Sequence, residues 1–277
     1  MKYLPLLFLL NLLPLFIANG HAKPERIVSL SLCSDELVLA IAETENIASL
    51  SYLSADPFYA GISGTLPQVY LNQGRAEEVI ALDPDLIISS RFSASNAISL
   101  LGQLDYSVHI LGFPADLEAS YTQIREVAVL LGEEENGEKL ISDMQTTLAR
   151  MQTAMASQRG KSAVFYANNG FSYGQGTLRD YFLASLGIQN VASELGLQNV
   201  GKLPLELLLE AQPDFLLVDA AGAHDQQLAN PLLNHPAVRH YFTRDRLIVL
   251  PDRYFQCAGP AMMQAYSLML DALGIPL

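Results

Sequence analysis

Cys33 and Cys257 are the only cysteines in the 277-residue chain, and three chemistries suit them: a disulfide, a pair of free thiols, or a nucleophile at Cys33. A thiol at a helix start ionises more easily, but no His follows Cys33 at a spacing that would set a base beside it. In an exported protein two cysteines invite a bond. Each lies on a strand-end loop in a different half of the chain, so a bond would staple the halves together, provided the Cα atoms come within about 7 Å. Arg91 and Arg253 each follow an apolar, strand-like run. A guanidinium so placed suits an anionic ligand, because it is always charged and offers a planar fork of donors. The competing role is a surface ion pair, with Asp252 beside Arg253. Arg179, in the first turn of a helix, is a weaker candidate.

Aromatic residues collect at the same strand ends: Tyr52, Phe58, Tyr59, Phe92, Tyr166, Phe171, Tyr173, Tyr254 and Phe255. Such rings could cover a large, partly apolar ligand while tyrosine hydroxyls reach its polar edge. Taken singly, each is also explained by ordinary packing. Five histidines are present, His21, His109, His224, His235 and His240, and the last three all lie in the second half. A naked zinc or manganese ion held between two halves would draw His and carboxylates from both. That distribution is missing, so no bound metal or other cofactor is expected, and a metal would arrive already chelated. The Gly-rich stretch from Asn168 to Thr177 precedes a helix, with Thr177 and Asp180 spaced as a capping box. It lacks the third Gly of a dinucleotide fingerprint, Arg179 standing in its place, and reads as a ligand-facing loop.

The elements that must position these groups come in a repeated order. Residues 76–88 (AEEVIALDPDLII) are echoed by residues 205–217 (LELLLEAQPDFLL), each a short helix, a Pro-Asp stop and an apolar strand. Glu77 and Glu206 stand seven residues before the Pro in their copies, 129 residues apart. The repeat implies two similar lobes and a cleft between them. Apolar runs predict strands over 26–30, 47–51, 86–89 and 108–111 in the first lobe, and over 163–167, 215–218 and 247–250 in the second. Helical patterns fall at 35–41, 76–81, 94–104 and 117–131, then at 178–186, 204–211 and 259–273. Alternation of this kind is the signature of an α/β fold. Between the halves, Leu140, Met144, Leu148, Met151 and Met155 recur at helical spacing in a stretch without Pro. A stiff helix with one apolar face is expected there, and little hinge motion across it.

Residues 1–22 carry a positive residue, an apolar stretch broken by two prolines, and small residues before position 23. They read as a signal peptide cleaved after Ala22, too short and too interrupted for a membrane span. The expected organisation is therefore a leader at 1–22, an amino-terminal lobe at 23–132, an interlobe helix at 133–159 and a carboxy-terminal lobe at 160–277. The formal charge of −13, or −14 once Lys2 is removed, argues against a nucleic-acid partner.

The run from Arg26 to Leu37 (RIVSLSLCSDEL), the Glu77-to-Ile88 unit with its echo, and the bridging helix together resemble the periplasmic substrate-binding proteins of ABC importers. The resemblance is to the iron–siderophore and cobalamin type, class III, and it covers essentially the whole chain after the leader. It implies two Rossmann-like α/β lobes joined by one long rigid helix, with the ligand cleft between them. It also implies a non-catalytic, monomeric periplasmic protein that captures a metal chelate, iron–siderophore first and cobalamin or haem second. Cys33, Tyr52, Arg91, Phe92, Tyr166, Tyr173, Arg253, Tyr254, Phe255 and Cys257 are the candidate ligand contacts. In this family a Glu on each lobe docks onto arginines of the membrane permease, and Glu77 and Glu206 match those positions. Each Glu would in any case favour the positive end of its helix. The absence of Trp lowers the expectation of a corrinoid. The rival from another class is an exported thiol-dependent enzyme built on Cys33, which a Cys33–Cys257 disulfide would remove.

Overall fold

The computed structural model describes residues 23–62, 64–91, 93–219 and 235–276. The expected leader at 1–22, Phe92 and His224 lie outside them. In the amino-terminal lobe, strands β1 (Ile27–Ser29), β2 (Ile47–Ser51), β3 (Tyr70–Asn72), β4 (Leu86–Ser90) and β5 (Val108–Leu111) form a parallel sheet in the order β3-β2-β1-β4-β5. Helices α1 (Leu32–Ile41), α2 (Ala76–Leu82), α3 (Ser95–Gln103) and α4 (Leu117–Leu131) cover it. With both faces covered, a central strand such as β4 is buried along its whole length, which is why it reads as a continuous apolar run.

α5 (Glu134–Ala154) then leads into the second lobe. There β6 (Ser162–Phe165), β7 (Phe171–Tyr173), β8 (Gln189–Asn190), β9 (Val200–Lys202), β10 (Phe215–Val218) and β11 (Leu247–Val249) make two sheets. The larger is parallel in the order β11-β10-β6-β8, and β7 pairs antiparallel with β9 beside it. Its helices are α6 (Leu178–Ser185), α7 (Val191–Glu194), α8 (Leu205–Ala211), α9 (Pro236–Tyr241) and α10 (Met262–Ala272). No helix among the described residues is long and apolar enough to cross a membrane.

The structure gives the echoed unit a physical purpose. α2 and α8 are both seven residues long, and each ends in a left-handed residue just before its Pro, Asp83 (φ 48°) and Gln212 (φ 48°). The Asp after each Pro then ties down the start of the neighbouring strand. Asp85 accepts hydrogen bonds from the backbone N–H of Glu25 (2.7 Å) and Arg26 (3.1 Å) ahead of β1. Asp214 accepts from the N–H of Ser162 (2.8 Å) at the start of β6. An Arg closes each turn: Arg26 donates to the Asp83 carbonyl and Arg246 to the Pro213 carbonyl.

Two helix starts differ by three residues from the sequence expectation. α1 begins at Leu32 instead of Asp35, because the Ser31 and Ser34 side chains form a reciprocal capping box. α10 begins at Met262, because residues 259–261 form a turn packed against the other lobe. The strands β3, β7, β8 and β9 were not legible. They are two or three residues long and are held by their partners, not by an apolar run of their own.

α5 binds the lobes into one body. Its 21 residues span about 32 Å, and its buried face of Ile141, Met144 and Met151 belongs to a core that also contains Ile124 and Leu131 of α4 and Tyr266 and Met269 of α10. The crossing with α4 is close enough that a Cβ on Gly137 would lie 2.5 Å from the Ala128 Cβ. Gly137→Val is therefore expected to push α4 from α5 and lower stability by about 1–3 kcal/mol. Urea denaturation should show a lower midpoint with an unchanged m-value.

Candidate ligand-binding cleft

In open parallel sheets the ligand crevice lies beyond the carboxyl ends of the strands, where the strand order reverses. In the amino-terminal sheet that point falls between β1 and β4, and in the other between β6 and β10. The segments leaving those strands carry Cys33, in the first turn of α1, and Arg91 on one side, and Asn168 and Asp219 on the other. Asp252 to Cys257 follow β11 next to them. A cavity of about 290 Å³ opens on the carboxy-terminal lobe's side, lined by Ala167, Asn168, Phe171, Tyr173, Val200, Asp219 and Asp252.

Beneath that cavity Arg179 is buried with its guanidinium 3.8 Å from the centre of the Tyr173 ring and 4.9 Å from that of Phe255. It pairs with the Asp252 carboxylate. Burial pulls the Arg179 pKa down, opposed by Tyr173 and Asp219. Burial raises that of Asp219, opposed by Arg179 and then Arg253. Asp219 also accepts from the Asp252 N–H at 2.8 Å, which fixes the Asp252 loop to the end of β10. Arg179 is thus spent on its own lobe, holding Tyr173 and Asp252 in place as the wall of the cavity.

The two arginines nominated from sequence have different fates. Arg91 is exposed at the end of β4, and its side chain makes no ion pair or hydrogen bond among the described residues. Arg253 reaches from its own lobe to the other, donating to the Pro57 carbonyl at 3.2 Å while lying 4.8 Å from the centre of the Tyr254 ring. Tyr52, Phe58 and Tyr59 are exposed after β2, and Tyr173 and Tyr254 are half-buried. Two of the expected rim residues are core residues instead. Tyr166 is 3% exposed and donates its hydroxyl to the Leu203 carbonyl. Phe255 is 5% exposed, with its ring centre 5.2 Å from those of Phe165 and Phe182. Sequence reasoning passed over Asp219 and treated Asp252 only as a partner for Arg253. The signal was available, since Asp219 stands directly after β10, as Arg91 does after β4, and Asp252 follows β11 by three residues.

Cys33 and Cys257 form a disulfide with Cα atoms 5.5 Å apart. Neither thiol is free, so the pair of free thiols and the Cys33 nucleophile are both removed. Among the described residues no group of three His, Cys, Asp or Glu could hold a metal ion.

Two parallel α/β lobes on a rigid interlobe helix, with a cleft at the carboxyl ends of both sheets, define the class III substrate-binding proteins of ABC importers. The chain belongs to the periplasmic binding protein family, whose model matches residues 27–251, and it is a binding protein, not an enzyme. It is similar to the periplasmic heme-binding protein RhuT from Roseiflexus sp. RS-1 (25% identity, 90% of this chain and 97% of that one, TM-score 0.72). The fold is shared with a periplasmic heme-binding protein from Pseudomonas aeruginosa (21% identity, 91% and 93% covered, TM-score 0.71). It is shared also with the vitamin B12 binding protein BtuF of Vibrio cholerae (18% identity, 91% and 97% covered, TM-score 0.65). No curated protein sequence matches significantly.

A buried carboxylate lies next to the disulfide. Glu36 in α1 is 8% exposed and accepts from the Ala261 N–H of the opposite lobe at 2.5 Å. Burial pushes its pKa from 4.5 up to about 7, and the Ala261 bond pulls only partly back. Burial likewise lifts the neighbouring Asp35 to about 6, against hydrogen bonds from Ser29 and Ser51. Both pKa values are raised in the folded state, so the native protein holds these protons more tightly than the unfolded chain. Their stabilisation is complete below the ordinary carboxylate range and is lost as pH rises through about 6 for Asp35 and about 7 for Glu36. Thermal melts should therefore show lower stability at pH 8 than at pH 5. Glu36→Gln should flatten that loss mainly between pH 5 and 7, by about 2 kcal/mol. A Gln variant with the wild-type slope would refute the assignment.

Proposed function

We propose that this chain is the exported solute-binding component of an ABC importer, and that it captures a metal chelate in the interlobe cleft and delivers it to the membrane permease. In this reading residues 1–22 are removed after Ala22 and the mature protein works as a periplasmic monomer. Its lobes are residues 23–132 and 160–277, joined through 133–159. The observation that supports the ligand class is Arg91, which makes no ion pair or hydrogen bond among the described residues, together with exposed rings after β2 and the Tyr173 wall of the cavity in the other lobe. Flat apolar surface and an available guanidinium suit a chelate with an apolar body and an acidic edge. Haem fits that description and is what the 25%-identical Roseiflexus protein is described as binding, so we place it first. An iron–siderophore is the second reading, because an anionic ferric chelate would use the same Arg91. Cobalamin is third, since the chain offers no Trp to stack on it.

Delivery would use the echoed helices. Glu77 and Glu206 are exposed at the second position of α2 and α8, one on each lobe, and neither makes a hydrogen bond or ion pair among the described residues. Two carboxylates on matching surfaces would suit two arginine sockets in a permease. With both reversed, as Glu77→Arg with Glu206→Arg, transport should fall by about ten-fold or more while ligand affinity in solution is unchanged. Unimpaired transport would end the docking role. For the ligand, tyrosine fluorescence of the purified protein is titrated with haem, cobalamin, a ferric hydroxamate and a ferric catecholate. Saturable quenching by haem is expected, with affinity falling about ten-fold or more in Arg91→Ala. Failure of all four would overturn the chelate reading.

A further inference from the structure

We propose that the Cys33–Cys257 disulfide, the Glu36 seat and the Arg253 bridge act together as a clasp. The clasp sets the spacing of the two lobes and holds residues 251–257 in their ligand-ready position before any ligand arrives. Three independent contacts lie along one seam. The disulfide joins the first turn of α1 to the segment after β11. One helical turn further along α1, Glu36 receives the Ala261 N–H, and the turn presses so closely that a Cβ on Gly259 would lie 2.6 Å from the Glu36 Oε1. From the other side, residues 57–61 close over the same segment. Arg253 donates to the Pro57 carbonyl, and a Cβ on Gly61 would lie 2.7 Å from the Ala261 Cβ and 3.0 Å from the Arg253 carbonyl oxygen.

The geometry makes this more than local packing. The bonded cysteines are 224 residues apart, and the covalent ring they close runs through both lobes and α5. The lobes are therefore joined along α5 and again across the seam. Separation at the seam would have to break the bond or deform the ring. Arg253 and Tyr254 lie only four and three residues before Cys257. Ordering them in advance removes a cost that binding would otherwise carry, so the clasp sets ligand retention as well as lobe spacing.

The test reads lobe spacing directly and needs no ligand, so its failure is distinct from failure of the chelate reading. Fluorophores are attached through non-canonical residues at exposed Gln103 of α3 and Glu194 of α7. The distance distribution is compared between the wild-type protein and Cys33→Ser/Cys257→Ser. A single narrow distribution is expected in the wild type and a broader one in the variant, with unchanged circular dichroism. Should the variant fail to fold, the wild type is measured after reduction by dithiothreitol, which passes two electrons and two protons to the disulfide and closes to its own cyclic disulfide. A distribution that stays narrow after full reduction overturns the proposal. So does unfolding on reduction, which would make the bond a general staple for the fold. For any titrated chelate that binds, the dissociation rate should also rise about ten-fold without the bond, in line with the usual expression of site changes in off-rates.

Discussion

The apolar face of α5 is the constraint on which the rest of the molecule depends. Two α/β lobes of this size could each pack a core alone and hang together by a flexible strap. Instead Ile141, Met144 and Met151 enter a core to which α1 and α4 contribute from one lobe and α6 and α10 from the other. Moving one lobe against the other would expose that shared surface, at a cost of about 25 cal/mol for each Å² of apolar area returned to water. Unbranched methionines suit a seam between two independently built cores, because they adapt to irregular gaps. The cleft takes part of its shape from this packing, since the strands that aim residues into it are backed by that core.

Polar groups do the corresponding work near the cleft. In the amino-terminal lobe the Asn72 side-chain amide donates to the Ser29 carbonyl, the Ser49 hydroxyl and the Leu50 carbonyl, tying three strands together at their carboxyl ends. Asp35 accepts from the Ser51 N–H, linking α1 to β2. These groups are fully buried, and buried polar groups left without partners would be costly. In the other lobe Arg179 has the same task, set among Tyr173, Phe255 and Asp252. A buried cation with a carboxylate and aromatic faces around it organises a wall. The two sides thus differ: Arg179 pairs with Asp252 on one, while on the other Arg91 makes no ion pair or hydrogen bond among the described residues.

Much of the framework was readable from the chain. The strands 47–51 and 215–218 coincide with β2 and β10, because buried parallel strands write themselves as apolar runs, and 108–111 coincides with the edge strand β5. The echo pointed to two lobes, although its Pro-Asp turned out to serve the neighbouring strand. The site was less legible. Tyr166 and Arg179 differ from Tyr173 and Arg91 in burial alone, and burial depends on what other elements bring against a side chain. The edge strands β3, β7 and β9 went unread for a related reason, since a three-residue strand exists only through its partner.

By itself, then, the sequence determined the two-lobed α/β plan, the rigid connection through α5 and the class of protein. These follow from local periodicity and from the order of elements, which the chain carries in one dimension. The pairing of Cys33 with Cys257, the burial of Glu36 against Ala261, the diversion of Arg179 to Asp252 and the reach of Arg253 to Pro57 were decided only by tertiary structure. Each joins residues distant in the chain, and most of them cross from one lobe to the other. The distances that decide them are set by how the lobes meet or, for Arg179 and Asp252, by packing within one lobe, and not by any spacing along the chain.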